Sequence, residues 1–501
     1  MMNHAAVRLR PPLIRFRTAI AALVIGALAV LGEQPGIASA HAYLVRAIPG
    51  DGAIVSAAPR LVRLWFSEPI DLPPTALELS GPDGRPVPIA SVSIASDDAT
   101  EMVAMARLAR RGTYVLRWKV ISADTHPVWG GFTFSIGVRT PIVSPLDNAS
   151  PLFRALALGT AAGARLLNLL SLAFLAGPLA LWAIVLAPTA RRHAPTSVLR
   201  LWQRTMRLYS WGLALLLVAA PLTLAAQMMS VSDTPAAAAS LDAFVAALSG
   251  RLGEVLVVRL ALCLALFVVG ASITYLGPGR VLRSPDGAAR LALHPALFVA
   301  GGLSATLALS LSLSGHAAVA APVPLSLLLD VLHLVAMALW IGGLFALVGV
   351  LAPALRSVSV AQRDAVVAVV IARFSALALA CVATLTLTGL YSSVLNLSGP
   401  LDLLATDYGR VLGLKLLVSV AILLVASVNL LALRPGLTRV ARGHGRAADL
   451  WAPMRALLRA EALLAVGVLV VVGVLTSLPP ARQPALIAPA HVAARGAPRT
   501  P

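Results

Sequence analysis

Residues 326–351 read SLLLDVLHLVAMALWIGGLFALVGVL. About 20 consecutive apolar residues cross a bilayer as a helix. This run is longer, and Asp330 and His333 are its only ionisable side chains. In hydrocarbon every backbone polar group must bond within its own segment, so an isolated run of this kind is helical. Reading outward, similar runs recur near 163–187, 208–229, 255–277, 294–314, 374–396, 410–432 and 457–478. The pattern predicts an all-α polytopic membrane bundle of about eight helices over residues 152–480. The first run starts near Leu152 and is too long for one span, so its opening turns are expected at the interface.

Composition agrees. The chain has 501 residues, 58% of them hydrophobic and 12% charged, against about a quarter charged in a soluble chain. The net charge of +19 sits mostly in short loops between apolar runs. That is a topology signal and not a nucleic-acid surface, and no basic patch interleaved with aromatics is present. Alternate loops carry Arg191, Arg192, Arg200, Arg204 and Arg207, then Arg280, Arg283 and Arg290, then Arg356 and Arg363, then Arg434, Arg439, Arg442, Arg446 and Arg455. The intervening loops carry Asp233, Asp242, Asp402 and Asp407. The positive-inside rule places the arginine loops in the cytoplasm and everything before the first span outside. The expected location is the cell (inner) membrane, multi-pass, with the N-terminal part on the periplasmic or extracellular side.

Residues 1–40 read as a secretory signal peptide. Arg8, Arg10, Arg15 and Arg17 precede an apolar stretch from Thr18 to Leu31, and Ala38-Ser39-Ala40 supplies a small-x-small cleavage site. Cleavage there makes His41 the first residue. An N-terminal His offers its α-amine and a ring nitrogen to one metal ion, a pairing that suits tetragonal Cu(II). The alternative is that His41 merely happens to follow the cleavage site.

Residues 41–140 change character. Val62-Arg63-Leu64-Trp65-Phe66 and Tyr114-Val115-Leu116-Arg117-Trp118-Lys119-Val120 are β-rich, and turn signals such as Pro49-Gly50-Asp51-Gly52 and Gly81-Pro82-Asp83-Gly84 separate such runs. This spacing predicts an antiparallel β sandwich or barrel. The region has no cysteine, so no disulfide framework holds it. Cys263 and Cys381 both fall inside apolar runs and read as small buried hydrophobes more than as relay thiols. In Ser122-Ala123-Asp124-Thr125-His126-Pro127, Asp124 and His126 flank one residue, so in an extended segment both side chains point one way. With His41 they make two imidazoles, a carboxylate and an amine, a set fitting Cu(II) better than zinc. A plain loop capped by Asp124, with His126 exposed, is the competing reading. Residues 141–151, with Pro141, Pro145 and Pro151, read as a linker. Residues 481–501, Pro/Ala-rich, read as a disordered tail.

Ionisable side chains inside a bilayer are costly and therefore functional candidates. Arg165, Glu254, Arg259, Asp330, His333 and Lys415 fall in the outer half of the predicted spans, with His316 at the outer end of the fourth. Asp330, His333 and Met337 are spaced to line one helix face. Imidazole serves both copper oxidation states and a thioether favours Cu(I). Met228 and Met229 also end the second span on the outer side. These residues suggest a metal site at the outer mouth built from His316 and His333, with Asp330 in support and Met337 below. The competing readings are structural ion pairs, a snorkelling Lys415, Met337 as core, and histidines bonded only to backbone or interfacial water.

Two stretches resemble a known family. His41-Ala42-Tyr43-Leu44, Ser56-Ala57-Ala58-Pro59 and Leu64-Trp65-Phe66-Ser67-Glu68-Pro69, with Gly112-Thr113-Tyr114, Trp118, Ser122 to Pro127 and Gly131-Phe132-Thr133-Phe134, resemble CopC across 41–138. The resemblance implies a cupredoxin-like or Ig-like sandwich carrying Cu(II) outside the membrane on His41, Asp124 and His126. Some CopC proteins have a Met-rich loop for Cu(I). Here only Met102 and Met105 occur, without a neighbouring His, so no Cu(I) site is expected in this domain. Ser314-Gly315-His316-Ala317, Asp330-Val331-Leu332-His333-Leu334, Trp340-Ile341-Gly342-Gly343-Leu344, Arg373-Phe374-Ser375, Thr388-Gly389, Tyr408-Gly409-Arg410, Lys415, Asn429 and Arg459-Ala460-Glu461 resemble CopD over roughly 290–480. CopC–CopD fusions of the YcnJ-like kind look like copper importers. The implied function is capture of Cu(II) outside and import of copper, with Cu(I) a candidate in the membrane part. Implied partners are copper ions, membrane lipid and other copper carriers, with no nucleic acid. Two alternatives stand beside it. One is a membrane-anchored resistance or sequestration module. The other is a redox protein with His316 and His333 as haem ligands, although no Cys-x-x-Cys-His occurs. No ATP-binding loop, Cys-Pro-Cys motif or catalytic triad is present, so the expectation is a protein that is not an enzyme.

Overall fold

The structure is a computed structural model and describes residues 42–73, 75–123, 127–142, 150–249, 251–275, 294–318, 322–397, 399–433, 435–436, 439, 448–478 and 481. The predicted signal peptide at 1–40 therefore lies outside the described residues, as do nearly all of the 481–501 tail and most of the 141–151 linker.

Strands form where side chains alternate between core and water. In β3 (Leu61–Phe66), Val62, Leu64 and Phe66 are buried while Leu61 and Arg63 are exposed. Two sheets result. One has the order β1 (Leu44–Ile48), β3, β7 (Glu101–Ala106), β6 (Ile89–Ile94). The other has the order β2 (Ile54–Val55), β9 (Pro127–Ile136), β8 (Gly112–Ser122), β4 (Ile70–Asp71), with β5 (Leu77–Ser80) also on β8. The sandwich is as predicted, with one difference: β2 runs parallel to β9. Such a short edge strand can pair in either direction once the preceding turn, residues 49–53, has carried the chain across from the sheet of β1.

The inner faces meet in a single core. Phe66 meets Trp118 edge-on at 5.1 Å, and Tyr114 stacks on Phe134 at 5.5 Å. Trp118 lies opposite Gly130 in the β8–β9 register, and a Cβ there would come 2.6 Å from the indole. The Tyr114 hydroxyl donates to the Arg110 carbonyl at 2.8 Å and accepts from the Arg110 N–H at 3.0 Å, pinning the turn into β8. Met102 is wholly buried in this core and Met105 faces out, so the two thioethers do not share a face.

Among the described residues, eight helices are long and apolar enough to cross a bilayer. They are α1 (Pro151–Leu181), α2 (Val198–Ser230), α3 (Arg251–Tyr275), α4 (Pro295–Ser312), α5 (Val323–Ala346), α6 (Val360–Asn396), α7 (Asp407–Val428) and α8 (Ala448–Leu475). Several exceed the predicted spans. After Leu181 a wide turn, Trp182–Leu186, carries the first helix on to His193, and α6 starts at Val360 instead of near 374. Hydropathy marks where a helix meets lipid, not where its hydrogen bonding stops, so amphipathic extensions escape it. Ser150 and Ser359 cap α1 and α6 with side-chain acceptors.

The first helix is central and packs against α2, α4, α5 and α8. It crosses α5 at two glycines: a Cβ on Gly342 would lie 2.0 Å from the Ala173 carbonyl oxygen, and one on Gly177 would lie 2.5 Å from that of Ala338. In lipid, where apolar burial gives little drive, such backbone contact is what holds helices together.

The β domain rests on the connection between α2 and α3. Lys119 of β8 pairs with Asp233 at 2.8 Å, and Ile121 is buried with Val231 and Ala243. The domain is thus on the side of the bundle where α2, α4, α6 and α8 end and α1, α3, α5 and α7 begin.

Candidate metal centre

The residues expected to hold Cu(II), His41, Asp124 and His126, lie outside the described residues. Their immediate neighbours are described, and these converge. The Ala42 N–H donates to Ser122 Oγ at 3.0 Å, and Ala42 is fully buried. Ser122 in turn donates to Glu68 Oε1. The next residue is tied in the same place: Tyr43 N donates to Ser67 Oγ at 3.1 Å, and Ser67 N donates to the Tyr43 carbonyl at 3.0 Å. β8 and β9 stay paired as far as Ile121 and Pro127. The residue after His41 and the residue two before Asp124 are therefore hydrogen-bonded at one end of the sandwich, beside the Ser67-Glu68 turn. Glu68 escaped the sequence reading because its role depends on that contact across the sheets. Its only linear signal was its place in Phe66-Ser67-Glu68-Pro69.

In the bundle the polar side chains form a layer on the side that carries the β domain. Arg259 of α3 donates through Nε to Ser310 Oγ at 3.1 Å, and through one terminal nitrogen to the Ser310 carbonyl at 2.9 Å and Ser314 Oγ at 2.7 Å. Arg165 of α1 donates to the Leu311 carbonyl at 3.2 Å. These are carbonyls of the last turn of α4, where backbone donors run out and the helix dipole favours cations; the Ser314 hydroxyl also donates to the Ser310 carbonyl at 3.1 Å. Two arginines from different helices thus anchor the C-terminus of α4, and the half-buried His316 turn follows directly. Among the described residues the acceptors of Arg259 are all neutral, and Glu254 is exposed.

His333 of α5 meets Thr388 of α6, with Nδ1 and Oγ1 2.8 Å apart. Thr388 has one hydroxyl proton, and it is committed to the Thr384 carbonyl at 2.7 Å. The threonine oxygen therefore accepts from His333, which carries its proton on Nδ1 and keeps a lone pair on Nε2. That is the form in which an imidazole binds a metal. Asp330, one turn earlier, lies within charge–charge range of Arg165 and of Lys415, and Lys415 lies within range of His333. Met337 is buried among Leu334, Ala338 and Ile341. Among the described residues no three His, Cys, Asp or Glu side chains form a group that could hold a metal ion. The structure therefore places His316, Asp330 and His333 in one layer without converging them on one point. Cys263 and Cys381 are free thiols packed in the helices.

Together the sandwich and the helices define a multi-pass membrane protein bearing a β-sandwich head. The chain belongs to the CopC family through that head, with a CopD-type membrane part in the same polypeptide: residues 44–137 match the CopC domain and residues 368–475 match copper resistance protein D. The second match spans α6 to α8, less than the 290–480 of the sequence resemblance. The chain is similar to the copper transport protein CutJ of Bacillus subtilis, 27% identical over 90% of this chain and 76% of that one. It is similar to copper resistance protein C of Xanthomonas campestris pv. juglandis, 36% identical over 20% of this chain and 82% of that one. A crystal structure of CopC from Methylosinus trichosporium OB3b is 27% identical, covering 21% of this chain and 99% of that one, with a TM-score of 0.18.

Proposed function

We propose that the chain captures Cu(II) outside the cell membrane and imports copper through its helical bundle. In this reading His41, Asp124 and His126 hold Cu(II), the α-amine of His41 completes a nitrogen-rich set, and the chain has no enzymatic step of its own. His316 and His333 receive the metal at the outer mouth of the bundle, with Asp330 offsetting charge and Met337 offering a softer donor further in. The observation that carries the proposal is the Ala42–Ser122 hydrogen bond, which ties the segments flanking both halves of the ligand set to one end of the sandwich. Copper as cargo follows from the family and from the names of its relatives. The sequestering alternative draws on those relatives named for resistance.

The ligand set is tested by adding one residue before His41 in the mature chain. The α-amine is displaced, so the Cu(II) paramagnetic resonance spectrum should change and affinity should fall. An unchanged spectrum and affinity would refute the assignment.

A further inference from the structure

We propose that the β domain works from a docked position on the loop between α2 and α3, and that this docking holds the end of β8, three residues before Asp124, against the end of α2 at the outer mouth of the bundle. The inference rests on the import reading and adds to it how metal passes between the two halves of one chain.

Three contacts carry it. Lys119 Nζ donates to Asp233 Oδ1 at 2.8 Å, with the lysine side chain only 11% exposed. Ile121, two residues along β8 and on the same face, is buried with Val231 and Ala243, and Met228 packs against them. The Thr75 hydroxyl donates to the Val231 carbonyl at 3.4 Å. Met228, Val231 and Asp233 lie at or just beyond the end of α2, and Ala243 lies in the short helix Leu241–Ser249 that precedes α3. On the domain side, Ile121 is three residues from Asp124.

The size and chemistry of this contact indicate how it acts. A linker alone keeps the domain at about millimolar effective concentration near the bundle, but it leaves the orientation of the domain open. Contacts between domains of one chain are expected to open and close unless they are large and apolar. An exposed ion pair would add little to such an equilibrium. Here the lysine is nearly enclosed and would be left without its partner's charge if Asp233 were removed, so the pair has leverage over it. Reversing one charge places like charges face to face, which costs enough to shift docking by about tenfold or more. Hand-over by ligand exchange needs donor and acceptor aligned, so uptake should follow the docked fraction.

The test uses the full chain. A zero-length carbodiimide joins a lysine amine to a carboxylate only where the two touch, so treated membranes should yield a Lys119–Asp233 cross-linked peptide. Lys119→Arg keeps the charge and should yield none. Lys119→Asp and Asp233→Lys should each lower copper accumulation by about tenfold while Cu(II) binding to the β domain stays stoichiometric, and the double reversal should restore accumulation. Absence of the cross-link in the wild type would overturn the docked position. A cross-link together with wild-type accumulation in both single reversals would overturn its role. A wild-type chain that binds Cu(II) and cross-links but accumulates no copper would overturn the import reading, and with it the hand-over, and not the docked position.

Discussion

Thr388→Val probes the membrane histidine without touching it. The exchange keeps the branched shape and removes the oxygen 2.8 Å from His333 Nδ1. Two effects follow. The Nδ1–H is left without this acceptor in a half-buried site, which costs about 1–3 kcal/mol. The ring also loses the contact that fixes its tautomer and orientation, and the loss of such supporting contacts weakens metal binding by about 10–100-fold. Purified protein in detergent should therefore melt at a lower temperature, and the copper concentration for half-maximal uptake should rise by about 10–100-fold. Thr388→Ser, which keeps the hydroxyl, should recover most of both. His333→Ala combined with Thr388→Val should be no worse in uptake than His333→Ala alone, because the threonine acts through the ring. Wild-type uptake in Thr388→Val, or additive losses in the double variant, would refute the reasoning.

Tyr114→Phe removes a hydroxyl that both donates to and accepts from Arg110, and should destabilise the β domain by about 2 kcal/mol, read as a lower urea midpoint for its tryptophan fluorescence in the full chain. Asp98 accepts from the Thr100 hydroxyl and the Thr100 N–H, and these bonds hold its carboxyl below the usual 3.8. Its contribution to stability is thus complete above that value and lost as pH falls through the lower folded value; Asp98→Asn should flatten the acid limb of a pH–stability profile below about pH 4. Tags placed near Arg200 and Arg442 should be shielded from membrane-impermeant reagents in intact cells and tags near Asp402 should be labelled, with labelling at Arg442 contradicting the eight-span topology.

The helical architecture was legible because lipid enforces a simple rule: a run such as 326–351 has one stable conformation. The sandwich was legible from strands like β3, whose alternation marks its buried face. What escaped was everything set by contacts between distant segments. The direction of β2 depends on its pairing with β9, where Ile54 meets Ser135. The continuation of the first helix to His193 follows from hydrogen bonding that hydropathy does not measure. In the candidate site, the sequence offered residue types but not partners. It named His333 but quoted Thr388 only within a family motif, not as its partner, and it named Arg165 and Arg259 without linking them to the end of α4 that they anchor. It quoted Glu68 only as part of a family motif, without its bond to Ser122. Nor did it show the Lys119–Asp233 contact, because a lysine in a strand and an aspartate in a loop each look like ordinary surface residues.

The most direct test of the account is radiocopper influx into right-side-out vesicles carrying the wild-type chain or the His316→Ala/His333→Ala variant. The account predicts that wild-type vesicles accumulate copper, while the double variant binds Cu(II) at its β domain with an unchanged resonance spectrum and accumulates none. Normal influx in the double variant would contradict the role given to the two histidines, and no influx in the wild type would contradict import itself.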